Sequence, residues 1–194
     1  MRTYLSSYRF GRRASALTYA GGRALIVMNA LDEYERRMLS WDREVDDLAQ
    51  LGYRSEELDL RDYWRSPAGS LRRRLDNVDL IWVVGGNAFV LARAATEAGL
   101  AAALTESSNL TYAGYSAGAC LTSIDLRGID RMDDQNSCPP VYSMDMPAHT
   151  LRLTSTRVVP HAGSEEADVA AAHLRMRKLE FFELADGEDI LLDT

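Results

Sequence analysis

Two apolar runs that each end in glycine and lead straight into a helical segment set the frame for this chain. The first, Val78-Asp79-Leu80-Ile81-Trp82-Val83-Val84, enters Gly85-Gly86-Asn87, after which alanine-rich helical periodicity extends over residues 88–106. The second, residues 110–113, enters Gly114-Tyr115-Ser116-Ala117-Gly118 and leaves through an alanine-containing segment, 117–123. Continuous apolar runs are what a strand covered on both faces requires. Alternation of strand, turn and helix implies an α/β fold, a mostly parallel sheet with helices on both faces. Ligands in such sheets sit beyond the carboxyl ends of the strands, and both glycine turns lie at such ends.

The remaining segments fit this frame. Residues 3–7 form a short strand, 9–22 a loop with one helical turn, and 23–29 a buried strand. Asp32 is placed to cap a long amphipathic helix in which Tyr34, Met38, Trp41, Val45 and Leu48 recur at three- and four-residue spacing, ending near Gly52. Residues 53–60 read as the next strand and 71–75 as a short basic helix whose Arg72-Arg73-Arg74 run is a solvated face. From 124 to 152 regularity is weak, as expected of a loop over the active edge. Residues 154–159 are a β-branched strand that brings Pro160-His161 to the same edge, and Ser164 opens a helix through about Lys178. The runs 179–184 and 189–192 flank Asp186-Gly187 and predict a hairpin. Thr194 directly follows strand residues, which suggests a minimal C-terminus or a missing final strand.

At 194 residues the expectation is one domain over residues 1–194. A net charge of −7 argues against nucleic acid or an anionic membrane as partner. No apolar run approaches the roughly 20 residues needed to span a bilayer, and the N-terminus lacks the apolar core of a signal peptide, so a cytoplasmic location is expected. Cys120 and Cys138 have no C-x-x-C spacing, and His149, His161 and His173 are scattered. Neither a zinc site nor a disulfide framework is indicated, and no metal or cofactor is expected. Both cysteines read as reduced thiols.

Gly-x-Ser-x-Gly between a strand and a helix is the sequence form of a nucleophile elbow, with Ser116 at its tip. A serine hydroxyl needs a base, and His161 is the histidine placed at a strand end on the right edge. An acid between them in chain order would give Ser, Asp, His, and Asp133 and Asp134 on the irregular loop are the candidates. The N–H groups of Gly86 and Ala117 form the expected pair of oxyanion donors. Asn87 either caps the following helix or touches substrate, and the two roles are compatible.

Val83-Val84-Gly85-Gly86-Asn87, Gly114-Tyr115-Ser116-Ala117-Gly118-Ala119, Asp133-Asp134 and Val159-Pro160-His161 together resemble the dipeptidase E and cyanophycinase family of serine peptidases. The opening Tyr4-Leu5-Ser6-Ser7 and closing Leu184-Ala185-Asp186-Gly187 are similar to that family as well. The resemblance implies a flavodoxin-like three-layer sandwich, the sheet of class I glutamine amidotransferases. It further implies a serine peptidase with Ser116 as nucleophile, His161 as general base, and Gly86 and Ala117 as oxyanion donors. Spacing from the serine favours Asp133 over Asp134 as the acid. The short chain is similar to the branch that cleaves dipeptides after an N-terminal aspartate, although Glu165 and Glu166 would oppose an acidic substrate. A short peptide is thus the expected partner, and a homodimer is compatible with the reading. The rival readings are an α/β-hydrolase-like esterase and a non-catalytic relative that binds a small ligand.

Overall fold

The structure, a computed structural model, describes residues 1–35, 37–107 and 109–193. Thr194, on which the reading of the C-terminus rests, lies outside the described residues. In chain order the elements are β1 (Arg2–Ser6), β2 (Gly22–Val27), α1 (Arg37–Gln50), β3 (Tyr53–Glu57), α2 (Ser70–Arg74), β4 (Leu80–Val83), α3 (Ala88–Glu97), α4 (Leu100–Thr105), β5 (Thr111–Tyr115), α5 (Ala117–Cys120), β6 (Arg157–Val159), α6 (Glu165–Met176), β7 (Phe181–Glu183) and β8 (Asp189–Asp193). Six strands form the main sheet in the order β3-β2-β4-β5-β1-β8. All its pairings are parallel except that of β8 with β1. Strands β3-β2-β4-β5 reproduce the 2-1-3-4 start of the flavodoxin order, and the N-terminal strand β1 fills the fifth place.

Side chains alternate across the sheet, and each face meets its own helical layer. Leu25, Val27, Ile81 and Val83 join one apolar cluster with α3, α4 and α5 residues such as Val90, Leu104 and Ala119. Ala24, Ile26, Leu80 and Trp82 face the other way onto Leu48, Val45 and Trp41 of α1. Hence the strands read as unbroken apolar runs: both faces are covered. Full burial of each large aliphatic or aromatic side chain stabilises by about 1.5–3 kcal/mol. The α1 face also holds a buried carboxylate that the amphipathic pattern did not reveal. Glu44 accepts hydrogen bonds from Trp82 Nε1 at 2.7 Å, the Tyr115 hydroxyl at 2.9 Å and Arg43 Nη2 at 2.8 Å. The bonds from Trp82 and Tyr115 tie α1 to β4 and to the end of β5, just before Ser116.

Three expectations need correction. The first helix starts at Arg37, not after Asp32. Asp32 instead accepts from Asn29 Nδ2 and the Tyr142 hydroxyl at 2.9 and 2.6 Å, a network that holds the chain in a short 3-10 turn. The helical stretch 88–106 is two helices, broken at Gly99, where φ is +70°. Nor do the runs around Asp186-Gly187 form a hairpin: β7 pairs in parallel with β6 in a separate two-stranded sheet, while β8 returns to β1. Turn chemistry was legible there, but the partner of each strand is a tertiary matter that alternation alone does not decide. Among the described residues no helix is long and apolar enough to cross a membrane.

Candidate active site

Strand β5 ends at Tyr115, beside Ser6 of β1 on one flank, and Gly114 pairs with Val83 of β4 on the other. The next residue, Ser116, has φ +50° and ψ −116°. A side chain at positive φ is rarely accommodated and costs about 1–3 kcal/mol, so the surrounding packing must hold it. Glycines on both sides make this close packing possible. A Cβ on Gly118 would lie 2.2 Å from the Val83 carbonyl oxygen, and one on Gly114 would lie 2.8 Å from the Gly118 backbone. The turn therefore lifts the Ser116 hydroxyl off the end of the sheet with α5 starting directly behind it.

The imidazole comes from the small sheet. His161 follows β6, with its own backbone at φ +58°, and its Nε2 stands 3.0 Å from Ser116 Oγ. On the far side of the ring, Nδ1 lies 2.8 Å from Asp186 Oδ1. A carboxylate only accepts, so Nδ1 carries the hydrogen and Nε2 is left with its lone pair toward the serine. Burial would raise the Asp186 carboxyl, but hydrogen bonds from Ser7 and His161 outweigh it and hold the group below the usual carboxylate range. The side chains of His161 and Asp186 are 31% and 61% exposed, so the row opens to solvent. The Tyr8 ring flanks the imidazole at 6.5 Å between centroids and meets Tyr115 edge-on at 6.0 Å.

The structure brings Ser116 and His161 together, but the acid beside the imidazole is neither Asp133 nor Asp134. Asp133 lies at the start of α3, where its Oδ2 accepts the Ala88 N–H at 2.8 Å. Asp134 is exposed and turned into its own loop, accepting from the Asn136 N–H at 2.9 Å. Chain order misled because the acid follows the histidine, on the turn after β7. Its signal was present in the closing Leu184-Ala185-Asp186-Gly187, whose composition speaks first of a turn. Ser7 was missed in the same way within the opening Tyr4-Leu5-Ser6-Ser7.

Asn87 is 3% exposed, and both ends of its amide are bonded. Its oxygen accepts from Phe89 N–H and Val90 N–H at 2.9 and 3.1 Å, and its nitrogen donates to the Asp134 carbonyl at 2.9 Å. It caps α3 and ties down the loop. Gly86, at φ +141°, packs so closely on the 3-10 turn after β2 that a Cβ there would lie 2.3 Å from the Ala30 carbonyl oxygen. Asn87 N–H donates to that same carbonyl at 2.8 Å. Among the described residues, neither the Gly86 nor the Ala117 N–H has a backbone acceptor. Gly85 brings this loop against the elbow, since a Cβ there would lie 2.9 Å from Ser116 Cβ. Cys120 is buried in α5 and Cys138 is exposed, both as free thiols. Among the described residues no three His, Cys, Asp or Glu side chains stand together as a metal-holding group.

Asp133 carries a separate, testable consequence. Burial is the main cause that pushes its carboxyl up to about 6, with Glu33 adding repulsion and the Ala88 N–H and His161 opposing it. The folded state thus keeps a proton that the unfolded chain gives up near 3.8, and stability falls as pH rises from about 4 to about 6. Asp133→Asn keeps an acceptor for Ala88 without the charge. It should raise stability by about 1–3 kcal/mol at pH 7 and by almost nothing at pH 4. Thermal melts of both proteins at the two pH values check this; an equal shift at both would contradict it.

A strained serine on an elbow, an imidazole and a carboxylate in one row at the rim of a parallel sheet define a hydrolase-type α/β protein. The model of peptidase family S51 matches residues 33–193, and the chain belongs to that family. It is a serine-type peptidase. Among solved structures, it is similar to a candidate peptidase E protein from Listeria monocytogenes EGD-e, with a TM-score of 0.75 and 20% identity over 99% of this chain and 94% of that one. It is also similar to a peptidase from an acI-B1 Actinobacterium, with a TM-score of 0.69 and 18% identity over 98% and 82% of the two chains. At such identities these likenesses speak to the fold. No curated protein matches the chain.

Proposed function

We propose that the protein hydrolyses short peptides, dipeptides with an N-terminal aspartate first among them, through an acyl-enzyme formed on Ser116. The observation that carries this reading is the 3.0 Å contact of Ser116 Oγ with His161 Nε2, backed by Asp186 at 2.8 Å. Ser116 Oγ attacks the scissile carbonyl carbon while its proton passes to His161 Nε2. The carbonyl oxygen becomes an oxyanion facing the Gly86 and Ala117 amides. Collapse breaks the C–N bond, and the amine leaves with the proton from Nε2. Water then repeats the sequence, giving its proton to Nε2 and releasing the acid and Ser116. Asp186 keeps the imidazole in the required tautomer and stabilises the imidazolium in both halves. The aspartyl preference draws on the family likeness.

A mixed dipeptide library, incubated with wild type and Ser116→Ala and read by mass, tests both parts. Loss of Asp-Xaa peptides with wild type alone is the expected result. Cleavage of another class would move the specificity while leaving the chemistry, and ester hydrolysis with no peptide cleavage would overturn the peptidase reading for this site.

A further inference from the structure

We infer that Ser7 is the clasp of this site: its buried hydroxyl locks the His161–Asp186 unit of the small sheet onto the main sheet that carries the nucleophile. The inference rests on the proposed roles of Ser116, His161 and Asp186. Ser116 belongs to the main sheet, at the end of β5, whereas His161 and Asp186 leave the small sheet at the ends of β6 and β7. The latter two are held to each other through backbone bonds, from Leu184 N–H to Val159 carbonyl and from Ala162 N–H to Leu184 carbonyl, each at 3.0 Å. Nothing in that pairing sets where the imidazole stands relative to the serine.

Ser7 follows directly on β1, the neighbour of β5, and the Ser116 N–H donates to the Ser6 carbonyl at 3.2 Å. Both serines therefore ride on adjacent strands of one sheet. The Ser7 hydroxyl accepts the His161 backbone N–H at 2.7 Å and sits 2.7 Å from Asp186 Oδ1. The amide can only donate and the carboxylate can only accept, so the hydroxyl proton must point at Asp186. One oxygen thus fixes the strained backbone that carries the imidazole and the carboxylate that orients its ring. Ser7 is 0% exposed, so water does not substitute for it, whereas Asp186, 61% exposed, would otherwise be held by His161 Nδ1 alone. Ser7 N–H also donates to the Glu188 carbonyl at 3.2 Å, just past the acid's turn. Ser7 is a positioning residue: it touches the acid and the imidazole's backbone, and the reacting atoms only through them.

The test uses the full chain as wild type, Ser7→Ala, Asp186→Ala and the double variant, with kinetics on the dipeptide that wild type cleaves best. Ser7→Ala should lower kcat about 10–10²-fold, with KM changed less than about threefold, because misplacement affects the reaction more than binding. The double variant should be slower than Asp186→Ala by clearly less than the factor that Ser7→Ala costs in wild type, since with the carboxylate gone Ser7 has only the His161 N–H left to hold. Losses that multiply in the double variant, or a Ser7→Ala kcat within about twofold of wild type, would overturn the inference. Should Ser7→Ala not fold, amide exchange in wild type decides: the His161 N–H is expected to be protected, and exchange at the rate of a free amide would overturn the clasp. Turnover that survives Ser116→Ala would instead defeat the catalytic reading, and the amide measurement would still decide the bond to Ser7.

Discussion

Ser116→Ala is expected to lower kcat by about 10⁶-fold, the scale at which loss of an activated serine leaves only binding and oxyanion stabilisation. The substitution removes one oxygen atom, which lies 3.0 Å from His161 Nε2. Cβ stays in place, so the close packing of the elbow on Gly85 and the strain of its backbone are the same in both proteins. Melting temperature should therefore change little while turnover disappears. A serine-directed phosphonate should label wild type and leave the variant unlabelled. Equal turnover by the two proteins would remove Ser116 from the mechanism and leave the rim of the sheet without a nucleophile.

The fold was legible in the sequence wherever burial on both faces left unbroken apolar runs. β2, β4 and β5 overlap runs of that kind, and their parallel pairing followed from the helices between them. The elbow was legible because its backbone permits little else: glycine is required at 114 and 118 by contacts of 2.8 and 2.2 Å to a Cβ. Less visible were features decided by remote partners. Asp186-Gly187 has the composition of a hairpin turn, with Gly187 at φ +88°, but its flanking strands belong to different sheets. Asp133 has the composition and order of a triad acid, yet the N-terminus of α3 takes its carboxylate. Local chemistry can say that an aspartate accepts a hydrogen bond; which donor it meets depends on the packing of segments far apart in the chain.

Asp186→Asn should lower kcat by about 10²–10⁴-fold, less than loss of the serine and far more than loss of a loop carboxylate. Asparagine can keep an oxygen on the site now occupied by Oδ1, so the bonds from His161 Nδ1 at 2.8 Å and from Ser7 at 2.7 Å survive in one orientation of the amide. What is lost is the charge that stabilises the imidazolium during both halves of the reaction. In the other orientation the amide presents N–H to Nδ1 and selects the tautomer in which Nε2 can no longer take the serine proton. The 61% exposure of Asp186 sets the lower end of the range, because water screens its charge as it would not in a dry site. Asp134→Asn is the control: that side chain is exposed and bonded at 2.9 Å to the Asn136 N–H of its own loop, so kcat should stay within about threefold of wild type. If the two variants exchanged effects, with Asp134→Asn inactive and Asp186→Asn unimpaired, the carboxylate that orients His161 in solution would have to come from the loop over the rim instead of the turn after β7.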